Sequence, residues 1–302
     1  MFKILFTSAL LLGFGSAHAA KPIDETRELA ADGILEVHNV AGLIRVVGWN
    51  KSSVAIRGEL GDGTAGLDIR GDRKSLRIEV KLPKRSGFGW WGGGSDSSAT
   101  LEIQAPIGAQ LRLNGVSADV EVRGHGGERL RVDTVSGDVK IDSGAPDIAL
   151  KTVSGDVSLA ATRPTQRVEM VTVSGDVRAT DVGGELELES VSGDQDISTL
   201  NLRRLRSELV SGDLILRVKS LAPNARINAE SVSGEISMQL PKMADFKIEA
   251  ESFSGDIESD FGRVKEEEYG SGKTLNFTEG KAQVSIELST MSGQITLRQG
   301  AR

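Results

Sequence analysis

The stretch that decides the fold is VSGDV at 135–139, which occurs again at 153–157 and at 173–177. Close variants follow at 191–197 (VSGDQDI), 210–216 (VSGDLIL), 232–238 (VSGEISM), 253–259 (FSGDIES) and 291–297 (MSGQITL). From Ser117 to Ser292 the motif serines are 19, 18, 20, 18, 19, 22, 21 and 38 residues apart, and the last step equals two periods of 19. A fixed period of this size is the signature of a repeat architecture.

The residues around each motif repeat as well, and we number them from the motif serine. Position −6 is apolar in all nine copies, position −4 is apolar in most of them, and position +3 is Val, Leu or Ile in eight. Alternation with a period of two predicts two short, half-buried strands per repeat, joined at Ser-Gly-Asp. In this interpretation the motif Val belongs to the core, Gly makes the bend and Asp is the polar partner of the turn.

Two all-β architectures fit this pattern. In a parallel β-helix or solenoid, each repeat of 19–22 residues is one coil, and the coils stack about 4.8 Å apart. In an antiparallel β meander, Gly-Asp is the centre of a type II′ hairpin turn. We favour the solenoid because the polar positions recur along with the apolar ones, and a meander does not need identical neighbours.

The repeats resemble those of the bacterial putative-adhesin domain-of-unknown-function family, which consists of exported proteins with SGD repeats. The family opens with a segment similar to LEVHNVAGLIRVVGWNKSSVAI, here residues 35–56, and the repeats cover 111–297. The resemblance implies a right-handed parallel β-helix-like fold, a location outside the cytoplasm and an adhesin-like role. It implies no catalytic residue.

The N-terminal residues 1–19 have the features of a signal peptide. Lys3 provides the positive charge, the apolar stretch ILFTSALLLGFG is too short to span a bilayer, and Ala17-His18-Ala19 is a cleavage site of the small-x-small type. We therefore expect an exported protein of the periplasm or the cell surface. After a lead-in at 20–33, degenerate coils at 34–110 carry an insertion at 86–98, the repeats at 111–297 continue the same domain, and 298–302 form a tail.

Composition excludes some classes of partner. The net charge of −7 argues against nucleic acid, because proteins that bind it carry basic surfaces. After residue 19 the chain contains no apolar run long enough for a transmembrane segment. It has no cysteine and only two histidines after the signal peptide, which argues against disulfides and zinc. The sequence does not indicate an oligomeric state.

The repeated aspartates at position +2 have two possible roles. We expect them to bond backbone groups of their turns, as Asp does in many turns. The alternative is a calcium-binding edge, because carboxylate oxygens suit Ca²⁺. One carboxylate per coil favours the structural role, and no other cofactor is predicted. The candidate residues are Asp138, Asp156, Asp176, Asp194 and Asp213.

The most individual segment is SGFGWWGGGSDSS at 86–98, which contains Phe88, Trp90 and Trp91. Large aromatic side chains in a Gly/Ser-rich loop can bind a glycan or a protein of the envelope or cell surface. Alternatively, the rings fold back and cap the solenoid.

Together these features predict a non-enzymatic, adhesin-like binding protein or a structural scaffold of the bacterial envelope. The alternative is a carbohydrate-active enzyme, a polysaccharide lyase or hydrolase built on a β-helix. Such an enzyme needs a small set of carboxylates in different environments, whereas a uniform Asp series offers no unique pair. His38 and His125 are the only histidines after the signal peptide, and we expect both at the surface.

Overall fold

The computed structural model of the chain describes residues 21–83, 97–266 and 272–300. Across these ranges the chain forms 23 β-strands. The described residues contain no helix that is long and apolar enough to cross a membrane. The predicted signal peptide lies outside the described residues.

The strands follow one another with short connections. The N-terminal strands are β1 (Lys21–Glu28), β2 (Ile34–Trp49), β3 (Ser53–Leu60), β4 (Gly66–Gly71), β5 (Ser75–Lys81) and β6 (Ala99–Pro106). The repeats form β7 (Gln110–His125), β8 (Arg129–Asp133), β9 (Val139–Ser143), β10 (Asp147–Ser154), β11 (Val157–Ala161), β12 (Arg167–Ser174), β13 (Val177–Ser192), β14 (Gln195–Ser211), β15 (Leu214–Val218), β16 (Leu221–Ser233) and β17 (Ile236–Leu240). The last strands are β18 (Phe246–Ser252), β19 (Ile257–Ser259), β20 (Val264–Glu266), β21 (Lys273–Glu279), β22 (Val284–Ser292) and β23 (Ile295–Gln299).

The repeats stack as parallel coils, each aligned with its neighbours. Ser154 pairs with Ser174, and Val157 pairs with Val177, in parallel register. The segment before each motif joins one row of strands, and the segment after it joins a second row. The predicted β-solenoid is therefore confirmed, and the antiparallel meander is wrong for the repeats. The right-handedness of the coil stays a prediction.

The core lies between the two rows and is filled by the columns that the alternation predicted. At position −6, Leu130, Ile148 and Val168 are fully buried, and the valines at +3 are at most 3% exposed in the three VSGDV copies. Burying a Val or Leu side chain contributes about 1.5–3 kcal/mol. Because each residue packs against its equivalent one coil away, stability depends on contacts between neighbouring coils.

Glycine at position +1 lets the coils approach closely at the corner. Gly155 has a φ of +135°, which side-chain-bearing residues rarely adopt. A Cβ atom at this position would lie 2.3 Å from the carbonyl oxygen of Gly137 in the preceding coil. The glycine therefore serves both the backbone conformation and the spacing of the stack.

The C-terminal coils do not stack in the order of the sequence. Strand β22 pairs in parallel with β16 on one side and with β18 on the other, so the coil of Ser292 lies between those of Ser233 and Ser254. The step of two periods in the sequence between Ser254 and Ser292 therefore corresponds to adjacent coils in the stack. The reason is that β21 occupies the outer edge of β18 as an antiparallel partner, which leaves only the inner edge for β22.

The N-terminal end has a similar arrangement. Strand β2 lies inside, with β7 on one side and the parallel strands β5 and β6 on the other. Antiparallel strands complete both rows, since β4 pairs with β5 in one row, while β3 pairs with β6 and β1 with β3 in the other. Both rows thus end in antiparallel strands at the N-terminal end. At the C-terminal end the row before the motif does so through β21 and β20, while the second row ends in β19, which is parallel to β23. Antiparallel end strands limit edge-to-edge association of parallel coils.

Candidate binding groove

The residue just before each motif serine, at position −1, points outward and is apolar in every copy. The alternation that buries positions −6, −4 and −2 places −1 on the opposite side of the strand. These nine side chains are 43% to 64% exposed. We call them the apolar stripe; in the order of the stacked coils they are Val116, Val135, Val153, Val173, Val191, Val210, Val232, Met291 and Phe253.

The first and last Val of VSGDV therefore have opposite environments. Val135 is 49% exposed, whereas Val139 is 1% exposed. The prediction that the motif Val belongs to the core is right for position +3 and wrong for position −1. The signal for the exposed stripe was present in the sequence, because an apolar residue recurs there on the outward phase of the alternation.

A groove of about 700 Å³ runs beside the C-terminal part of the stripe, from Val173 to Phe253. One wall is the stripe itself, and the other wall is the outward column at position −3. Strand register aligns Glu189 with Glu208 and Glu208 with Glu230, and Glu251 follows one coil beyond Ser289. The groove thus combines an apolar wall with an acidic one.

The aspartates at +2 lie on the side of the stripe opposite the groove. Their carboxylates accept hydrogen bonds from backbone N–H groups of the next coil. The N–H of Asp194 donates to Oδ1 of Asp176 at 2.9 Å, and that of Asp213 donates to Oδ1 of Asp194 at 2.9 Å. The same bond links the coils from Asp119 to Glu235. These contacts account for the residue type at +2, and calcium binding by Asp138, Asp156, Asp176, Asp194 and Asp213 stays a prediction.

Within residues 21–83, 97–266 and 272–300, no group of three or more His, Asp or Glu side chains is arranged to hold a metal ion. Phe88, Trp90 and Trp91 lie outside the described residues, and their role in binding stays a prediction.

His125 is buried inside the fold, and the expectation of a surface position is wrong. Its exposure is 4%; Nε2 donates to the carbonyl oxygen of Ala109 at 2.8 Å, and Nδ1 accepts from Oγ of Ser143 at 2.9 Å. Burial lowers the pKa of the imidazole. A register shift between β7 and β9 just before His125 turns the ring inward.

His38 is half-buried, and its Nε2 lies 2.6 Å from Oε1 of Glu36. This hydrogen bond lowers the pKa of the Glu36 carboxyl, and Arg77 adds to the effect. Both histidines therefore form hydrogen bonds with residues of the solenoid itself.

Several carboxyl groups outside the groove have lowered pKa values because they pair with cations. Glu121 accepts from Arg45 at 3.0 Å, and Asp256 accepts from Lys273 at 2.8 Å. Glu169 pairs with Lys151 in the same way. A glycosidase acid needs a raised pKa, so these shifts give no support to the carbohydrate-active enzyme.

Comparison with known proteins gives one family model that matches the chain twice, and several solved structures to which the chain is similar. The model of the family Toastrack DUF4097 matches residues 68–183 and again 183–298. A putative lipid binding protein from Parabacteroides distasonis is 13% identical, with a TM-score of 0.49 over 91% of this chain and 96% of that chain. A putative adhesin from Bacteroides fragilis is 13% identical, with a TM-score of 0.45 over 93% and 98% of the two chains.

A putative cell adhesion protein from Clostridium sporogenes is 15% identical, with a TM-score of 0.31 over 93% of this chain and all of that chain. A search of curated proteins gave no match.

Proposed function

The chain belongs to the Toastrack DUF4097 family, and we propose that it is a non-enzymatic binding protein or scaffold of the bacterial envelope, working outside the cytoplasm. In this proposal the stacked coils provide a rigid support, and the apolar stripe is the surface that contacts a partner. The signal-peptide features of residues 1–19 support the location.

The observation that carries the proposal is the continuity of the stripe. Single exposed apolar residues are normal on a protein surface, whereas contiguous apolar patches mark contact sites. Coils stack about 4.8 Å apart, so nine adjacent apolar side chains form a line about 38 Å long. A partner that covers this line removes apolar surface from water, which is a favourable source of binding energy.

A further outward column, at position −5, shows that a solenoid of this kind does not need apolar residues on its surface. Position −5 also points outward, and seven of its nine copies carry Arg or Glu. Charged pairs on that face link neighbouring coils, as between Arg167 and Glu187 at 3.0 Å. The apolar residues at −1 are therefore not a requirement of stacking, and binding gives them a role.

The proposal can be tested by cross-linking in cells that produce the protein. A photo-activatable amino acid is placed at Val153, Val191 or Val232, and at Ile215 as the control. Ile215 is 38% exposed and lies in the row of strands after the motif, away from the stripe. We expect adducts of defined mass from the three stripe positions and not from Ile215.

Equal adduct yields at the stripe and at Ile215 would overturn the stripe as the contact surface. Separation of periplasmic, membrane and cytoplasmic fractions in the same cells tests the location. Recovery of the protein in the cytoplasm alone would contradict the proposed envelope role.

A further inference from the structure

We infer that the partner presents a cationic amphipathic helix, whose apolar face lies on the stripe and whose Lys or Arg side chains face the flanking carboxylates. This inference rests on the proposed function, because it names the chemistry of the occupant of the same surface. Three observations support it: the acidic side chains beside the stripe, the length of the groove, and the hydrogen bonds that the corner backbone already makes.

The charge beside the groove is acidic on both sides of the stripe. Glu189, Glu208 and Glu230 occupy three successive coils on one side, and the +2 aspartates occupy the other. Glu208 pairs with Arg206 of its own strand, whereas Glu189, Glu230 and Glu251 make no ion pair within the described part of the chain. Aligned carboxylates one coil apart repel each other, so a cation placed between them gains from several charges together.

The same charges argue against other occupants. A second copy of this chain facing the stripe would place acidic columns against acidic columns, and the chain as a whole carries a net charge of −7. An anionic lipid surface would meet the same repulsion. A neutral apolar ligand would leave the acidic wall without a counter-charge.

The length of the groove fits a short helix. From Val173 to Phe253 the stripe crosses six coils, or about 24 Å, which is the length of a helix of about 16 residues. One helical turn rises about 5.4 Å and one coil about 4.8 Å, so successive turns stay close to successive coils. Side chains on one face of an extended strand are about 6.7 Å apart. This spacing differs more from the spacing of the coils, so the side chains of a strand fall out of step with the stripe within two or three coils.

The hydrogen bonds of the backbone at the Ser-Gly-Asp corner also favour a helix over an added strand. The N–H of Ser154 donates to the carbonyl of Val135 at 2.8 Å, and that of Gly155 donates to the carbonyl of Ser174 at 3.3 Å. The corner groups are therefore used between coils and offer no edge for an added strand. A helix satisfies its own backbone hydrogen bonds and can lie on an apolar surface without leaving polar groups unpaired.

The test uses the chain without residues 1–19 and three synthetic peptides of about 16 residues, the length derived above. The first is a Leu/Lys peptide with helical apolar spacing, the second has the same composition with Leu and Lys alternating as in a strand, and the third is a Leu/Glu helix. Binding is measured by fluorescence anisotropy at low and high salt.

Two triple variants and one control separate the apolar and the charged contributions. The stripe variant carries Val173→Thr, Val191→Thr and Val210→Thr, which keep β-branched side chains at exposed positions. The acid variant carries Glu189→Gln, Glu208→Gln and Glu230→Gln. The control is Ile215→Thr, and thermal unfolding of the three variants and the unsubstituted chain verifies that each one is folded.

We expect the Leu/Lys helix to bind best, with an affinity that falls at high salt. The stripe variant should weaken it about tenfold or more, the acid variant about fivefold, and Ile215→Thr should leave it unchanged. Equal binding of the Leu/Glu helix, or no effect of the acid variant, would overturn the cationic partner. Stronger binding of the alternating peptide would overturn the helix.

Failure of the inference differs from failure of the proposed function. If none of the peptides binds but the stripe positions still give specific cross-links in cells, the stripe remains the contact surface and the inferred partner chemistry is wrong. If the stripe positions and Ile215 cross-link equally, the proposed function fails as well.

Discussion

Oγ of Ser207 donates to Oε1 of Gln195 at 3.4 Å inside the core, where both residues are 1% exposed. Ser207 stands at position −4 of one repeat, and Gln195 at position +3 of the repeat before it. Each is a polar exception in a column that is otherwise almost entirely apolar. The structure shows that the two exceptions form one buried pair, in which each side chain contributes to satisfying the other.

We predict that Ser207 and Gln195 are energetically coupled. Ser207→Ala should lower the free energy of unfolding by about 1–3 kcal/mol, because it removes the donor to Oε1 of Gln195. The double variant Ser207→Leu with Gln195→Val restores apolar residues in both columns and should be at least as stable as the single variant. Urea unfolding of Ser207→Leu, Gln195→Val and the double variant completes the cycle, and strictly additive effects of the two single substitutions would contradict the coupling.

The corner glycines should be intolerant of even a methyl group. Gly155→Ala should lower the free energy of unfolding by about 2–4 kcal/mol, from the positive φ and from the contact with the carbonyl of Gly137. Gly66→Ala is a matched control, because Gly66 has a φ of +136° and no atom within 4 Å of the added Cβ. Equal losses in the two variants would show that close approach of the coils is not the reason for glycine.

Buried His125 should make the fold sensitive to mild acid. Its pKa is lowered by burial, so below its ordinary value near 6.5 the unfolded chain binds more protons than the folded one. The free energy of unfolding should therefore fall as pH drops from about 6.5 toward the lowered pKa, by at most about 1.4 kcal/mol per pH unit. Urea unfolding from pH 7.5 to 5 should show this slope, and His125→Gln should flatten it. An unchanged slope in the variant would assign the acid sensitivity to other groups.

The +2 aspartates should act as backbone acceptors. Asp176→Ala should lower the free energy of unfolding by about 1 kcal/mol because the N–H of Asp194 loses its acceptor. Asp176→Asn keeps an oxygen in the same place and should retain most of the stability. We expect the melting temperature to be the same with calcium and with a chelator. A rise with calcium that Asp176→Asn abolishes would establish the cation site instead.

The Gly/Ser-rich segment at 86–98 predicts an effect on binding and little effect on stability. If Trp90 and Trp91 bind a glycan or an envelope protein, Trp90→Ala with Trp91→Ala should abolish that binding and leave the melting temperature nearly unchanged. A glycan and envelope-component screen measures the first effect, and thermal unfolding measures the second. A lowered melting temperature with unchanged binding would favour the capping role. Persistence of the cross-links from Val191 in this variant would show that the stripe binds independently of the segment.

Most of the solenoid could be predicted from the sequence because its determinants are local. The apolar columns at −6 and +3 mark the inward phase, and Gly-Asp marks the corner. The same reasoning failed for Val135, because residue type alone does not decide which side of a strand a side chain occupies. Phase does, and Val135 stands on the outward phase while Val139, after the corner, stands on the inward one.

The order of the terminal coils could not be predicted in this way. The segments around Ser254 and Ser292 carry the same pattern, so either could stack on the coil of Ser233. The choice depends on which edge β21 occupies, and that antiparallel pairing joins residues 21 to 33 positions apart, across the FSGDIES copy. The strand β21 itself carries no copy of the motif that would reveal its partner. His125 was missed for a related reason, because its burial depends on a register shift between strands from different coils.

The inserted position of β22 also determines how the molecule can come apart. Strand β22, the last but one of the chain, is held on both sides. Removing it would break two parallel ladders at once and separate β18 and β21 from β16. At the other end β2 is enclosed in the same manner. A simple stack of coils would unwind one coil at a time from its end. Here a pulling force or a protease acting on either terminus must first release a strand that is paired on both sides.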